Sequence, residues 1–255
     1  MHFLSYGSYR VSVEHPGIHL PAHFVEPYKS TAEQGQASKA LKVTPATGWT
    51  GTEEGDAATW DGQVLHLRFP FFSARVSRLE ANVEAGPGFP CQHNDWTLMV
   101  NSVCLAWVLL DGGVVLHAAA VKIAGKCSVF TGKSGAGKST IALALAPHGT
   151  LITNDQAVLL PVEAGWSVQA TSPVWGGTRA PMHEIYLIGR SSHPKRRQLP
   201  ATLSLPGLMN NVILWPARKP VLDWVLERAI QIVQTVPMFE LTYGLEHITP
   251  ELLES

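Results

Sequence analysis

The stretch LHAAAVKIAGKCSVFTGKSGAGKST, residues 116–140, contains the pattern that decides the fold. Its second half, GKSGAGKS at 132–139, matches the pattern G-x-x-x-x-G-K-[ST] at every fixed position. The apolar run CSVFT precedes the pattern and TIALALA follows it, which are the strand and the helix that this motif requires. The sequence therefore predicts a phosphate-binding loop, or P-loop, between a strand and a helix.

Each residue type in this loop has a physical reason to be there. Glycines let the backbone take positive φ and approach an anion, so that N–H groups of the loop and the helix can surround phosphates. Lys138 is placed to reach the β- and γ-phosphates, and the Ser139 hydroxyl is a hard oxygen ligand for Mg²⁺. The predicted nucleotide-binding residues are Gly132, Ser134, Gly135, Ala136, Gly137, Lys138, Ser139 and Thr140. A glycine-rich turn that binds nothing is the alternative, and the complete match disfavours it.

Residues 1–92 are predicted to form a β-rich N-terminal region. Alternating apolar and polar residues predict strands at 9–13, 64–69 and 79–84. Residues 30–62 are rich in Thr, Ala, Gly and Glu, which predicts a turn-rich surface excursion. The apolar residues 96–110 predict a buried helix, because a segment that spans a bilayer needs about 20 residues.

Residues 93–255 are predicted to form an α/β core. A strand at 113–123, a tight turn and the strand at 127–131 predict a hairpin that leads into the P-loop. Further strands are predicted at 150–153, 157–162, 166–170, 184–188 and 238–243, and helices at 139–146, 205–215 and 221–235. Because hairpins place antiparallel strands beside the P-loop strand, the predicted fold class is α/β with a mixed sheet.

Asp155 is a candidate catalytic residue on the evidence of its position. It follows the short apolar strand at 150–153, which we expect to lie beside the P-loop strand. Its carboxylate would then lie at the same edge as the loop and accept the proton of an attacking hydroxyl. The same carboxylate would serve as a Mg²⁺ ligand in a plain ATPase, and the sequence leaves both roles open.

Composition excludes several classes of partner. The chain is 45% hydrophobic and 15% charged with a net charge of −1, which gives no electrostatic basis for binding nucleic acid or an acidic membrane. Its 3 cysteines lack metal-site spacing and favour a reducing compartment. The N-terminal residues MHFLSYGSYR lack the pattern of a signal peptide, so a cytoplasmic location is expected.

The order of LHAAAV, a short turn, an apolar strand, the P-loop and LITNDQAVLL resembles the HPr kinase/phosphorylase family. The closer resemblance is to its shorter members associated with peptide modification, including the lasso-peptide-type kinases. It covers residues 103–243, is strongest over 116–160, and includes weaker matches in TSPVWGGT, EIYLIGR and VPMFELTYG. It implies a nucleotide-binding core like that of HPr kinase and phosphoenolpyruvate carboxykinase, preceded by a β-rich region.

The resemblance also implies roles for single residues. His117 matches a histidine near the transferred phosphate, and Asp155 matches the second Asp of an acidic pair, which acts on the acceptor hydroxyl. Asn154 stands where the family has the first Asp; its carbonyl can ligate Mg²⁺ but adds no charge. The catalytic candidates are Asp155, His117 and Lys138, and the metal-ligand candidates are Ser139 and Asp155. Because HPr kinases form oligomers, the resemblance raises a homo-oligomer as one alternative.

Three other charged features have an ordinary alternative each. Arg179 would clamp phosphate or be a solvated loop arginine, and Glu184 would bind metal or lie at an exposed strand edge. HPKRR at 193–197 would dock an acidic peptide or form a solvated basic loop. Residues 189–220 lack the Gly/Arg-rich signature of the longer HPr kinases, so bifunctional kinase/phosphorylase activity is not expected.

Together these features predict an ATP- and Mg²⁺-dependent kinase that phosphorylates a hydroxyl, in the first instance a serine, on a peptide or small protein. A small-molecule kinase that acts on a free amino acid would share the same core. A regulatory module that binds ATP without transferring phosphate is the alternative from another class.

Overall fold

The chain divides into two compact units. The computed structural model describes residues 2–6, 9–16, 18, 38–47, 57–89, 93–171, 179–244 and 248–253. The first unit comprises Met1–Asp111, Ser172–Val174 and Leu214–Val225. The second unit comprises Gly112–Thr171, Trp175–Ile213 and Leu226–Ser255, and it contains the predicted P-loop.

A mixed sheet forms the described part of the first unit. Its strands are β1 (His2–Tyr6), β2 (Tyr9–Glu14), β3 (Lys39–Pro45), β4 (Ala57–Trp60), β5 (Leu65–Arg68), β6 (Phe72–Val76) and β7 (Glu80–Ala85). They lie in the order β1-β2-β3-β7-β6-β5-β4, and β3 pairs in parallel with both β2 and β7. Buried and exposed residues alternate along β2 and β7, as the sequence alternation predicts for strands with one buried face.

The prediction of a surface excursion at 30–62 is wrong for those of its residues that the structure describes. β3 and β4 lie within it, and the β3 residues Leu41 and Val43 are fully buried. β3 is an interior strand, because it is hydrogen-bonded to a neighbour on each side. The short alternation KALKV carried this signal, but the Thr-, Gly- and Glu-rich sequence around it masked the pattern. Residues 30–37 and 48–56 of the excursion lie outside the described residues.

The buried helix predicted at 96–110 is α1 (His93–Leu110), which begins slightly earlier than expected. Trp96, Met99 and Trp107 are fully buried, and the Trp107 indole N–H donates to the Ser77 carbonyl at 3.0 Å. Because α1 packs on β6, it groups with the first unit, whereas the sequence-based boundary lies just before it. Among the described residues, no helix combines the length and apolarity needed to cross a membrane.

A second mixed sheet organises the unit that contains the predicted P-loop. Its strands are β8 (Val114–Ile123), β9 (Lys126–Thr131), β10 (Thr150–Thr153), β11 (Gln156–Val162), β12 (Gly165–Ala170), β13 (Ala180–Pro181), β14 (Glu184–Arg190), β15 (Lys195–Gln198) and β16 (Met238–Tyr243). The order is β13-β12-β11-β8-β9-β14-β16-β15, with β10 paired to β8. β14 pairs in parallel with β9 and β16, and the other pairs are antiparallel. The predicted α/β class with a mixed sheet is therefore confirmed.

The hairpin predicted before the P-loop is β8–β9. Its two turn residues, Ala124 and Gly125, have φ of 47° and 85°. Two consecutive positive φ values are typical of the tight turn whose twist matches that of the flanking strands. The hairpin therefore fixes the pairing register that leads β9 into the loop.

Helices cover both faces of this sheet. They are α2 (Lys138–Leu145), α3 (Ala201–Met209) and α4 (Lys219–Thr235). Ile141 and Leu145 of α2 share a core with Phe130 of β9. Leu208 of α3 and Ile232 of α4 belong to a separate core on the opposite face. The central strands are buried on both sides as a result, which explains their nearly continuous apolar sequences.

The position of β10 corrects one prediction. The strand at 150–153 pairs with β8 and not with the P-loop strand β9. β10 and β11 follow one another along one edge of β8, while β9 occupies the other edge. Asp155 therefore lies across β8 from the P-loop strand, at the junction of β10 and β11.

Two further elements differ from their predictions. The helix predicted at 205–215 ends at Met209, and the Ile213 N–H donates to the Val115 carbonyl at 2.8 Å, so the chain joins the edge of β8. The basic segment at 193–197 is not simply a loop, because Lys195–Gln198 forms β15 and pairs with β16. In both places, pairing with a distant strand overrides what the local sequence favours.

Candidate nucleotide-binding site

The loop between β9 and α2 requires glycine at both of its ends. Gly132 has a φ of 148° and Gly137 a φ of 102°. A Cβ atom on Gly132 would lie 2.9 Å from the Ile188 carbonyl oxygen, and one on Gly137 would lie 2.6 Å from the Tyr243 hydroxyl. Gly135 also has a positive φ, of 77°, but has open space around it. The loop therefore has the tight backbone path that the glycine pattern predicts.

Lys138 folds back over this loop. Its ammonium group donates hydrogen bonds to the carbonyl oxygens of Gly132 at 3.0 Å and Lys133 at 3.2 Å, and the residue is only 6% exposed. Burial lowers the pKa of Lys138, and the nearby negative charge of Asp155 opposes this effect. The ammonium group is thus held by two carbonyls of the loop, and the negative charge of Asp155 attracts it.

The remaining predicted loop residues occupy different environments. Ser134, Gly135, Ser139 and Thr140 are exposed, and Ala136 is partly buried. The Ala136 N–H donates to the Lys133 carbonyl at 3.1 Å, which closes a turn inside the loop. The Ser139 hydroxyl donates to the backbone carbonyl of Asn154 at 2.8 Å. That bond joins the start of α2 to the β10–β11 junction.

β8 brings His117 and Asp155 to the same end of the sheet as the loop. Ala118 lies opposite Thr131, the last residue of β9, and its N–H donates to the Asp155 carbonyl at 2.9 Å. The Thr131 hydroxyl donates to the His117 carbonyl at 3.0 Å. Backbone pairing alone therefore places His117 between the start of the loop and the β10–β11 junction.

The side chains of His117 and Asp155 contact each other. His117 Nδ1 lies 3.2 Å from Asp155 Oδ1, and the two side chains are 42% and 50% exposed. A carboxylate held by a histidine and open to solvent is accessible to a reacting group that approaches from outside. The sequence predicted both residues, although it placed the strand before Asp155 on the wrong neighbour.

The residues present fit a magnesium ion. Asn154 Oδ1 is buried and has no hydrogen-bond partner among the described residues, so the residue whose backbone carbonyl accepts from Ser139 also has one uncompensated side-chain oxygen. With the Asp155 carboxylate and the Ser139 hydroxyl, this makes a set of hard oxygen donors of the kind that Mg²⁺ prefers. Within the described ranges, no group of three or more His, Cys, Asp or Glu residues forms a metal cage. Mg²⁺ would accordingly take its other ligands from phosphate and water, as it usually does.

Sequence reasoning missed Tyr243 and Arg190. The Tyr243 hydroxyl donates to the Gly137 carbonyl at 3.0 Å, and the residue is 1% exposed. Arg190 Nε lies 3.9 Å from the position that a Cβ on Gly137 would take. Both residues end strands that run parallel to β9, and parallel strands bring their carboxyl ends to one edge. Their positions at the ends of strands could have indicated a place beside the loop, but only if the strand pairings were known, and the sequence does not specify those pairings.

Two charged candidates lie away from the loop. Glu184 accepts a hydrogen bond from the Ser128 hydroxyl at 2.7 Å and lies 3.5 Å from Arg196, at the opposite end of β14. Arg179 donates from Nε to the Ser167 hydroxyl at 2.8 Å. Neither contact supports the metal-binding or phosphate-clamping role. Residues 172–178, which include most of the TSPVWGGT match, lie outside the described residues.

Comparisons with solved structures show a distant likeness of fold. No protein-family model matches the chain, and no curated protein matches it. Among solved structures, it is similar to the HPr(Ser) kinase/phosphatase from Coxiella burnetii, with 13% identity and a TM-score of 0.31. The likeness covers 55% of this chain and 91% of that chain. A likeness at that level shows nothing about the chemistry of this chain, which depends on the chain's own residues.

Proposed function

We propose that this chain is an ATP- and Mg²⁺-dependent kinase that phosphorylates a serine hydroxyl on a peptide or small protein. The observation that carries the proposal is the contact between His117 and Asp155 at the end of the sheet where the glycine loop begins. A module that only binds nucleotide would use this carboxylate as a Mg²⁺ ligand, whereas transfer to a hydroxyl also needs an oriented proton acceptor that the incoming hydroxyl can reach.

The loop and Lys138 would hold the triphosphate. Positive φ at Gly132 and Gly137 turns the backbone tightly before the N-terminus of α2, where N–H groups and the helix dipole favour an anion. Lys138 already lies in this curve, hydrogen-bonded to two loop carbonyls. On nucleotide binding, its ammonium group would exchange these neutral acceptors for phosphate oxygens, which form stronger charge-assisted bonds.

Ser139, Asp155 and Asn154 are the residues that would hold the metal. Mg²⁺ would supply positive charge that offsets the charge on the phosphoryl oxygens during transfer. The Ser139 hydroxyl and the orphaned Asn154 oxygen are neutral ligands, so Asp155 is the charged member of the set. Because position 154 is an asparagine and not an aspartate, it adds no negative charge close to the phosphates that the loop would bind.

Asp155 would also act on the acceptor. A new bond forms between the acceptor oxygen and the γ-phosphorus, the bond from that phosphorus to the β,γ-bridging oxygen breaks, and ADP leaves. The hydroxyl proton passes to the Asp155 carboxylate within hydrogen-bond reach. His117 contacts the same carboxylate through Nδ1, which orients it and leaves its other oxygen for the acceptor. Exposure of both side chains gives the acceptor access.

A cytoplasmic location agrees with this proposal, because the reaction consumes ATP. Cys104 and Cys127 are free and buried.

Mass spectrometry of acceptors after incubation with ATP and Mg²⁺ tests the proposal. The acceptors are a degenerate library of serine-containing peptides, small proteins and free serine, with the Lys138→Ala variant as the control. We expect one phosphate to be added to serine in peptides, and no addition with Lys138→Ala. Transfer to free serine alone would favour the small-molecule kinase instead. ATP binding without transfer to any of these acceptors would contradict the kinase and favour a binding module.

A further inference from the structure

Arg190 ends β14 beside the P-loop. In the parallel pairing of β14 with β16, Arg190 lies opposite Tyr243, and the next N–H, that of Ser191, donates to the Tyr243 carbonyl at 3.0 Å. Tyr243 in turn donates to the carbonyl of Gly137. The Arg190 Nε lies 3.9 Å from the position that a Cβ on Gly137 would occupy. The guanidinium group is therefore adjacent to the residue that caps α2.

The Arg190 side chain differs from those of nearby arginines in its contacts with the residues that the structure describes. Arg196 lies 3.5 Å from Glu184, and Arg197 lies 2.8 Å from Glu240. Arg179 donates to the Ser167 hydroxyl. The Arg190 side chain makes no hydrogen bond and no ion pair with any residue that the structure describes, and it is exposed. A positive charge next to an anion-binding loop is thus left available.

The sheet order places Arg190 on a defined side of the loop. β8 lies on one side of the P-loop strand and carries His117, which contacts Asp155; β14 lies on the other side and carries Arg190. If the γ-phosphate faces Asp155, the triphosphate must extend from there across the loop. Its α-phosphate and nucleoside then lie on the β14 side.

We propose that Arg190 binds the α-phosphate end of the nucleotide, which makes it a second phosphate-binding cation beside Lys138. This inference rests on the proposed function, because it takes the orientation of the triphosphate from the role of Asp155. The planar guanidinium forms two parallel hydrogen bonds with a phosphate, whereas a lysine acts as a point charge. Tyr243 is the positioning residue, since it contacts the Gly137 carbonyl and pairs with Arg190.

Calorimetric titration with ATP and with ADP tests the inference, using the wild-type protein, Arg190→Gln and Arg190→Lys. ADP retains the α-phosphate and lacks the γ-phosphate, so a contact at the α-phosphate serves both nucleotides equally. We expect Arg190→Gln to weaken ATP and ADP binding by the same factor, about tenfold to a hundredfold, and Arg190→Lys to weaken both by less. Arg197→Gln is the matched control and should bind both nucleotides like the wild type.

Each outcome has a distinct meaning. Equal losses for ATP and ADP support the inference. A loss for ATP alone would overturn it by placing Arg190 at the γ-phosphate, and affinities equal to those of Arg197→Gln would overturn it by removing the contact. If Arg190→Gln fails to fold, Arg190→Lys decides by the same comparison. Failure of the wild-type protein to bind either nucleotide would instead overturn the proposed function, and the inference with it.

Discussion

His117 Nδ1 and Asp155 Oδ1 lie 3.2 Å apart, although His117 belongs to a central strand and Asp155 to the junction between two others. Antiparallel pairing of β11 with β8 creates this contact, because Gln156 lies directly opposite His117. The histidine is thus a fixed neighbour of the carboxylate. In the proposed reaction, it would keep one oxygen of Asp155 directed at the acceptor.

Replacing His117 with alanine should reduce turnover and leave nucleotide binding intact. The carboxylate would lose its neighbour and rotate away from the acceptor, and such misplacement can cost up to about a hundredfold in rate. Steady-state kinetics should show the loss in kcat, while the Kd of ATP stays constant. His148→Ala, which removes an exposed histidine from the short helical turn after α2, is the control. A parallel loss of ATP affinity would show that His117 supports the loop instead.

Replacing Tyr243 with phenylalanine should weaken both the fold and nucleotide binding. The Gly137 carbonyl would lose its donor in a buried place, which costs about 1–3 kcal/mol in the free energy of unfolding. Chemical denaturation measures the stability, and titration measures the ATP affinity. Tyr186→Phe is the matched control, because its hydroxyl donates to the Leu253 carbonyl away from the loop. Equal ATP affinities in the two variants would contradict the role of Tyr243 at the loop.

Replacing Gly137 with alanine should abolish nucleotide binding. The new Cβ would lie 2.6 Å from the Tyr243 hydroxyl, and φ is 102°, so both the contact and the backbone must change. Gly165→Ala separates these effects, because Gly165 has a φ of 118° with open space around it. The Gly165→Ala control should lose about 1–2 kcal/mol in the free energy of unfolding, from the strained backbone alone, and should still bind ATP. Normal ATP binding by Gly137→Ala would contradict the loop geometry.

Cys127 should resist alkylation in the folded protein. Burial raises the pKa of its thiol from 9.0 to about 12, so at pH 9 the folded thiol stays protonated while an unfolded one is half ionised. Because the thiolate is the nucleophile, the alkylation rate should be low until the pH rises through the folded pKa or the chain unfolds. Peptide-resolved mass spectrometry with and without denaturant measures the difference. Equal rates in both states at pH 9 would contradict the burial of Cys127.

The loop and its flanking hairpin were predictable because their signals are contiguous in sequence. One stretch of sequence contains the loop glycines, Lys138 and the two-residue turn at Ala124 and Gly125. Each of these features determines the conformation or contacts of residues close to it in the chain. His117 and Asp155 were predicted through a family resemblance and through the apolar strand before Asp155. Their mutual contact followed from strand pairing that the sequence does not state.

The features that were predicted wrongly or missed depend on contacts between segments that are distant in the chain. The strand before Asp155 is four residues long, and so short a segment contains no information about which edge of β8 it joins. Arg190 and Tyr243 look ordinary in sequence, because their place beside Gly137 arises only when β14 and β16 align in parallel with β9. The same reason explains why β3 was missed, since its partners are separated from it in the chain.

Phosphoryl transfer by the Asp155→Asn variant is the most direct test of the central claim. Asparagine keeps the size of the side chain and can still ligate a metal through its carbonyl, but it cannot accept the acceptor's proton. With a serine peptide that the wild-type protein phosphorylates, we predict a loss of transfer of about 10²- to 10⁴-fold, with ATP affinity little changed. Glu163→Gln, in the exposed β11–β12 turn, is the control and should transfer normally. Transfer by Asp155→Asn at the wild-type rate would contradict the claim that Asp155 activates the acceptor.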